Sequence, residues 1–413
     1  MNEMTEKDIP QLLRQLREQF LLQLISEEWP GTEVAKERLR ALRLEPLAAE
    51  GVKPVCATAE LQLPPAVAAG ASERREMIAR VFHSLAREIA ARHAGIYPFR
   101  DPNGSERLHL AARSGSGGAA GAAALRLYLA ELTRAVEETL RLRLRTGIGT
   151  ETKGVKRLRN SYAAALLALH GGTGAAQNES GDTLPAFSRE TQQSLARRIE
   201  TGEAEAFMQE LETRLGIAGE AGQPPGAAAY ILLRALLLLH ASACKYGLCG
   251  GGLQRRLWDA QREVAAGTPY AAARLLVADW VGCLAREIAA IRRGGDRRLA
   301  EAVRAYAQRH FASDPALSSL AWSFAMAEDD LHKLFKQDIG LPFQGYVTKQ
   351  RMALAEQLLE EDSFKLNEIA ALTGYKNSDE LTAAFKKFSG ISPKDYRERH
   401  SRKQARLQAE LSI

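Results

Sequence analysis

The sequence predicts a multidomain α+β protein that is mainly helical. Its 413 residues exceed the roughly 250–300 that one hydrophobic core supports, which favours several domains. Alanine is abundant and aromatic residues make up only 6%, a balance that favours helix. Strand patterns are confined to about residues 51–149, and helical periodicity covers most of the rest.

The positive charge is concentrated near the carboxyl end. The whole chain has a net charge of +6 and an isoelectric point of about 9.1. Residues 386–406 hold eight bases against two acids, an excess equal to that of the whole chain. Such a cluster attracts phosphate-rich partners, and a solvated tail is the alternative interpretation.

The amino-terminal segment, residues 1–44, has neither the basic start nor the apolar core of a secretory signal. Apolar residues at helical spacing predict a helix over about 8–27, either a dimer seam or a helix that packs on its own domain: Ile9, Leu12, Leu13, Leu16, Phe20 and Leu24. The apolar stretch 227–244 carries Arg234 and predicts a buried helix, so no membrane partner is expected. The four cysteines fit no metal spacing and predict a reduced, cytoplasmic protein, with a Cys244–Cys249 redox pair as the alternative.

Residues 45–172 are predicted to form an α+β domain. Strands are expected at 52–63, 94–99, 106–112 and 141–149, and helices at 73–92, 124–140 and 155–169. The sequence between the second and third strands, Arg-Asp-Pro-Asn-Gly-Ser, suits a tight turn. The order β-α-β-β-α-β-α is a ferredoxin-like arrangement.

Residues 171–185 have the composition of a linker, and 186–295 are predicted to form a helical connector. Neither segment contains a catalytic constellation, so we predict no catalytic residue, no metal and no cofactor. His240 lies within an apolar helix and is expected to be a core histidine. The glycines at 115, 117, 118 and 121 lack the strand-to-helix pattern of a phosphate loop.

A skeleton of five residues occurs twice near the carboxyl end with a constant offset of fifty. Leu331, Phe335, Lys336, Gly340 and Tyr346 recur as Leu381, Phe385, Lys386, Gly390 and Tyr396. Upstream, "LAWSFAM" corresponds to "IAALTGY", so each copy predicts a short helix, a turn and a second helix. If the leucines and phenylalanines point inwards, helical spacing puts polar residues outwards. A continuous helix of about 20 residues, or roughly 30 Å, is predicted between the copies.

This arrangement resembles the DNA-binding domain of the AraC/XylS family over about residues 296–400. The resemblance rests on "LHKLFKQDIG", "YVTKQRMALAEQLL", "LNEIAALTGY", "FKKFSG" and "SPKDYR". It implies an all-α domain with two helix-turn-helix units that enter adjacent major grooves of double-stranded DNA. It also implies base contacts by Asp329, His332, Lys333, Ser378, Asp379, Thr382 and Ala383. Phosphate contacts are expected from Lys336, Lys386, Lys387, Lys394 and Arg397, ahead of a basic tail at 401–413.

Three departures from the family pattern concern the two recognition helices. The first helix opens with Ala327-Glu328-Asp329-Asp330 instead of a serine cap. The usual glycine of the first turn is Ala325, whereas the second turn keeps Gly374. Ala383 stands where the family often has Arg or Lys, so the second unit is expected to read bases less strictly.

Residues 45–170, with "TGIGTETKGVKRLRNSYAAALLAL", resemble the degenerate GGDEF-like middle domain of YesN-type regulators. At the hairpin that carries the metal and nucleotide motif in cyclases, Asp101 is the lone carboxylate, and Glu60 is predicted to be a surface charge. Cyclase activity is therefore not expected. Such relatives commonly carry a receiver domain, and none is recognised ahead of the 8–27 helix.

The resulting functional prediction is a cytoplasmic, sequence-specific transcription regulator, an activator that contacts RNA polymerase and forms a homodimer. One alternative is a protein-interaction adaptor whose acidic recognition helix no longer reads DNA. A second is cyclic-nucleotide turnover by residues 45–170, which requires metal-dependent nucleotide binding.

Overall fold

The computed structural model describes residues 11–26, 32–49, 51–64, 72–101, 106–114, 119–170, 189–215, 227–248, 252–293, 296–313, 317–324, 326–361 and 363–411. Some features predicted from the sequence lie outside these ranges: Ile9, the 102–105 turn, Gly115, Gly117, Gly118, the 171–185 linker, Cys249 and Ala325. The chain divides into two compact units. The large unit contains Met1–Trp29 and Pro46–Arg293, and the small unit contains Pro30–Glu45 and Gly294–Ile413.

The described residues form four strands and a larger number of helices, which confirms a mainly helical chain. The strands are β1 (Lys53–Gln62), β2 (Ile96–Arg100), β3 (Arg107–Ser114) and β4 (Arg143–Ile148). The helices are α1 (Gln11–Ser26), α2 (Thr32–Ala41), α3 (Ser72–Ala90), α4 (Ala119–Leu140), α5 (Leu158–Leu169), α6 (Arg189–Thr201), α7 (Ala204–Leu215), α8 (Ala227–Lys245), α9 (Gly252–Ala265), α10 (Tyr270–Arg293), α11 (Asp296–His310), α12 (Leu317–Ser323), α13 (Glu328–Leu334), α14 (Phe343–Glu360), α15 (Leu366–Thr373), α16 (Ser378–Ser389) and α17 (Pro393–Leu411).

The large unit is built on an antiparallel sheet with the order β2-β3-β1-β4. Alternate residues of β1 and β3 form one core with α3 and α4: Val55, Ala57, Ala59, Leu61, Leu108, Leu110, Ala112, Phe82, Leu125 and Tyr128. These alternate residues follow the period of two of a strand. In β1 the intervening residues Cys56 and Thr58 are fully buried as well, so both faces of this strand are covered. The predicted order of strands and helices is present, but α4 begins at Ala119 and not at the predicted residue 124, because the alanines of this stretch favour helix.

Helix α1 packs inside the large unit, where it contacts α5, α8 and β2. Its apolar stripe is buried, with Leu13 0% and Phe20 and Leu24 each 3% exposed. The stripe therefore packs on its own unit, the second of the two sequence interpretations.

Helix α8 forms from the longest apolar stretch. Within the part of the chain that the structure describes, it is the one helix long and apolar enough to cross a membrane, yet 67% of its most apolar window is buried in the protein. Arg234 is buried with it. His240 is half-buried, and its Nε2 lies 3.4 Å from Sγ of Cys244.

The cysteines differ in oxidation state. Cys56 and Cys283 are free thiols, whereas Cys244 is disulfide-bonded. The expectation that all cysteines are reduced is therefore wrong for Cys244. The spacing rules that exclude a metal site give no information on disulfide formation, which depends on backbone geometry.

The small unit contains two helix pairs separated by α14. The first pair is α12 and α13, and the second pair is α15 and α16. Helix α14 has 18 residues, two fewer than the predicted helix of about 20. The difference arises because Pro342 and Glu361 are the N-cap and C-cap and lie outside the helix. The last helix, α17, continues to Leu411. The segment predicted to be a basic tail from residue 401 is therefore helical as far as Leu411.

Candidate nucleic-acid interface

The second helix pair is joined by a sharp turn at Gly374. This residue has a φ of +86°, and a Cβ built on it would lie 2.6 Å from the carbonyl oxygen of Ala312. Both the positive φ and the close approach require glycine. The turn aims the chain into α16, where Asn377 is the N-cap and its side-chain oxygen accepts a hydrogen bond from the Glu380 N–H at 2.8 Å. The start of α16 is thereby fixed.

The outer face of α16 carries the residues predicted from the sequence. Leu381 and Phe385 are fully buried. On the other side, Ser378 and Thr382 are half-buried and Asp379 and Ala383 are exposed. The Thr382 hydroxyl donates to the carbonyl oxygen of Ser378 at 2.7 Å, so its oxygen can still accept a hydrogen bond from a ligand. These four side chains are brought together by helical spacings of three and four residues.

The second helix of the first pair, α13, is less well capped than α16. Ala327 is the N-cap of α13 and makes no side-chain cap hydrogen bond. The first turn instead carries three carboxylates, Glu328, Asp329 and Asp330, all exposed. Negative charge is favourable at the positive end of a helix dipole, which compensates in part for the missing cap.

The outer face of α13 holds the remaining predicted base contacts. Asp329, His332 and Lys333 are exposed, whereas Leu331 and Leu334 are buried. The Lys333 Nζ lies 3.7 Å from Oδ1 of Asp330. An exposed pair of this kind is weak, so the lysine is available to a stronger anion.

Helices α13 and α16 end in equivalent ways. Helix α13 continues as a π-helical turn, Phe335–Ile339, and stops at Gly340 with a φ of +73°. Helix α16 stops at Gly390 with a φ of +79°. The left-handed conformation is the ordinary glycine C-cap, which accounts for one element of the sequence repeat.

The predicted phosphate contacts fall into two groups. Lys336, Lys386, Lys387 and Lys394 are exposed at the ends of α13 and α16 and the start of α17. Arg397 differs, because its guanidinium donates to the carbonyl oxygens of Phe364 at 2.8 Å and Leu359 at 3.4 Å. Its contacts favour a structural role, and its assignment to phosphate stays a prediction.

A buried arginine joins α14 to the second helix pair. The Arg351 Nε donates to the carbonyl oxygen of Phe311 at 3.0 Å, and its guanidinium lies 5.2 Å from the Tyr375 ring centre. With 18 residues, α14 is about 27 Å long at a rise of ~1.5 Å per residue. Helix α14 therefore separates the two helix pairs along the chain and is anchored by Arg351.

Sequence reasoning missed two residues that position this surface. Asn377 precedes Ser-Asp-Glu, which is a recognisable helix start, so the cap could have been found. The role of Arg351 depends on residues 24 and 40 positions away, and no local pattern indicates it.

Two carboxylates of the large unit, Glu60 and Asp101, each contact a basic side chain of β3. Glu60, predicted to be a surface charge, is mostly buried and accepts from Arg107 at 3.2 Å, so that prediction is wrong. The register explains it, because Arg107 on β3 is the cross-strand partner of Glu60 on β1. Asp101 lies 3.3 Å from Nε2 of His109. No group of three or more His, Cys, Asp and Glu side chains that could hold a metal ion is found among the described residues.

A short helix, a sharp turn and a second helix with a polar outer face define a helix-turn-helix domain in the small unit. Residues 320–399 match the family model described as "Helix-turn-helix domain", which is of the AraC/XylS type. This confirms the resemblance drawn from the sequence for that segment.

Relatives of this segment are named transcriptional regulators. The probable transcriptional regulator LumQ of Photobacterium leiognathi is 29% identical over 22% of this chain and 37% of its own length. The HTH-type transcriptional activator RhaR of Yersinia pseudotuberculosis is 32% identical over 19% of this chain and 27% of its own length. The C-terminal domain of the two-component response regulator yesN of Fusobacterium nucleatum is 31% identical over 24% of this chain and 94% of that domain, with a TM-score of 0.22. The chain thus spans less than two fifths of the curated relatives LumQ and RhaR.

Proposed function

We propose that this protein is a sequence-specific DNA-binding transcription regulator in which α13 and α16 enter adjacent major grooves. One observation carries the proposal: two recognition helices, fifty residues apart, bury equivalent leucines and phenylalanines and expose polar side chains at equivalent positions. A major groove admits a helix, and 27 Å of spacer is close to the ~34 Å of one duplex turn. The helix-turn-helix match at 320–399 supports the same conclusion.

Base reading is assigned to the polar faces of the two helices. Lys333 and His332 suit guanine acceptors, and Asp329 suits a cytosine amine. On α16, Ser378, Asp379 and Thr382 supply short hydrogen-bonding groups, while the Ala383 methyl can contact a thymine methyl. The second unit therefore discriminates less than an arginine-bearing helix would.

Phosphate contacts supply most of the affinity. Lys336, Lys386, Lys387 and Lys394 are exposed, and each neutralised phosphate releases counterions. Binding is accordingly expected to weaken steeply with salt. The domain boundaries proposed for this activity are 296–400 for the DNA-binding domain and 401–413 for the basic end.

The large unit is proposed to be regulatory and not catalytic. Support for a GGDEF-like, ferredoxin-like domain at 45–172 comes from the strand order β2-β3-β1-β4 and from the helix that follows β4. Ion pairing of Glu60 and Asp101 argues against the metal-dependent cyclase alternative. The 186–295 helices are proposed to connect this domain to the small unit.

The wider role is proposed from the family resemblance and from the names of relatives. RhaR is named an activator, which favours activation through contact with RNA polymerase in the cytoplasm. A homodimer is also proposed. The apolar stripe of α1 is buried within its own unit, so the dimer interface is proposed to lie on another surface.

A titration of DNA binding against salt tests the proposal. Promoter fragments from upstream of the protein's own and neighbouring genes are retained at low salt, and Lys333→Glu and Lys386→Glu each weaken retention at least tenfold. Lys153→Glu, the same charge change at an exposed site in the large unit, is the matched control and leaves retention unchanged. A flat salt response, or equal losses in all three variants, contradicts the proposal.

One observation favours a second candidate, a protein-interaction adaptor. The first turn of α13 presents Glu328, Asp329 and Asp330, which repel phosphate. If α13 serves a basic protein partner, the triple change of these residues to their amides strengthens DNA binding little and abolishes partner capture. If α13 lies in a groove, the same change alters the preferred bases.

A further inference from the structure

The second helix pair carries a covering helix from the opposite end of the chain. Helix α2, which starts at Thr32, belongs to the small unit and packs against α15, more than 320 residues away in sequence. The side chains that follow are almost fully buried, with Leu39 and Leu42 at 2% and Leu44 at 0% exposed. This packing makes Leu39, Leu42 and Leu44 part of the core of the small unit.

A hydrogen bond fixes the same segment at a further point. Arg43 donates through its guanidinium to the carbonyl oxygen of Ser363, just before α15, at 3.2 Å. Burial and, second to it, the charge of Arg351 lower the pKa of Arg38 to about 10, so Arg38 lies within electrostatic range of the residue that anchors the turn. The segment therefore contacts the approach to α15.

The recognition surface stays open while this segment is docked. Asp379, Ala383, Lys386 and Lys387 on α16 remain exposed. The segment is thus suited to supporting the second helix pair from behind and not to blocking it.

Chain connectivity ties this support to the large unit. The chain leaves the large unit after Trp29 and returns to it at Pro46, so both ends of the segment continue into the large unit. We propose that residues 32–44 act as an intramolecular strap: docked, they hold the second helix pair in its DNA-binding arrangement, and a rearrangement of the large unit that withdraws them loosens this pair. The influence on DNA affinity rests on the proposed function, whereas the influence on local stability does not.

Hydrogen exchange of the full chain tests the strap without DNA. In the double variant Leu39→Ala, Leu42→Ala, amides of residues 366–389 lose protection at least tenfold, while those of α13 change by less than threefold. Leu13→Ala, a fully buried leucine of the large unit, is the matched control and leaves 366–389 unchanged. Should the double variant fail to fold, Arg43→Gln, which removes one hydrogen bond, is expected to show the same local pattern at smaller amplitude.

Two results overturn the proposal: unchanged protection of 366–389, or an equal loss across the whole small unit, which makes the segment ordinary core. DNA affinity is then measured on the same variants. Local loosening with weaker binding supports the strap and the DNA-binding function together. Local loosening in a protein that binds no DNA in any form leaves the strap standing and removes the proposed function.

Discussion

The rings of Phe385 and Tyr396 meet edge to face with their centres 5.5 Å apart. Fifty residues earlier, the rings of Phe335 and Tyr346 are also in contact, with centres 5.7 Å apart and planes tilted by 55°. In each case the phenylalanine ends the buried face of a recognition helix, and the tyrosine lies in the helix that follows the glycine stop. The repeated skeleton of the sequence is therefore a repeated packing unit, which orients each recognition helix on the helix behind it.

The unequal capping of the two recognition helices predicts opposite effects of substitution. Asn377→Ala removes the side-chain acceptor for the Glu380 N–H and is expected to destabilise the small unit by about 1 kcal/mol. Ala327→Ser supplies a cap where none exists and is expected to stabilise it by roughly 0.5–1 kcal/mol. Denaturant unfolding of both variants measures these changes. Equal effects of the same sign contradict the assignment of the caps.

Substitution of Gly390 and Gly374 by alanine is expected to destabilise the small unit by different amounts. Gly390→Ala is expected to cost about 1 kcal/mol, because its φ is positive but no atom lies within 4 Å of the new Cβ. Gly374→Ala carries the same strain and also forces the Ala312 carbonyl to move, so it should cost at least about 2 kcal/mol. Thermal unfolding of the two variants compares them. If Gly390→Ala is the more damaging, the turn geometry is wrong.

The large unit is expected to lose stability at acidic pH because of His170. Burial lowers the pKa of His170 to about 4, against the attraction of Glu60 and with the help of Arg107. Because the folded state binds this proton less readily than the unfolded state, stability is complete above about pH 6.5 and falls as the pH drops towards 4. Between pH 7 and pH 5 the loss is expected to be about 1–2 kcal/mol. In the His170→Gln variant the free energy of unfolding should depend less on pH. If the variant and the original protein show the same pH dependence, His170 is not its cause.

Substitutions of Lys386 and Arg397 are expected to affect different properties, DNA affinity in the first case and stability in the second. Lys386→Gln removes one exposed charge and should lower the slope of log affinity against log salt by about 1 without changing unfolding. Arg397→Gln removes hydrogen bonds to the Leu359 and Phe364 carbonyls and should destabilise the small unit by roughly 1–3 kcal/mol. A salt-slope change for Arg397→Gln in a fully stable protein would restore its predicted phosphate role.

The sequence predicted those parts of the structure that depend on local patterns. Leu331, Phe335, Leu381 and Phe385 follow helical spacing, and their burial and the exposure of the opposite faces were both predictable. Alternation in β1 and β3 likewise indicated the sheet. Such signals need only a few neighbouring residues.

Contacts between distant residues escaped prediction. The pairing of Glu60 with Arg107 depends on strand register, and the position of Arg351 under Tyr375 depends on tertiary packing. Helix α2 gives the sharpest case, because nothing in residues 32–44 indicates that they pack on a helix beginning at Leu366. Local propensity carries no information on which distant surface an amphipathic helix covers.

Methylation interference on a bound promoter fragment tests the central claim most directly, because it reports guanine N7 in the major groove. If α13 and α16 enter adjacent grooves together, interference falls in two patches centred about 10–10.5 base pairs apart on one face of the duplex. Changing Lys333 to Ala should then remove one patch only. A single patch, or two patches on opposite faces of the duplex, would contradict the account.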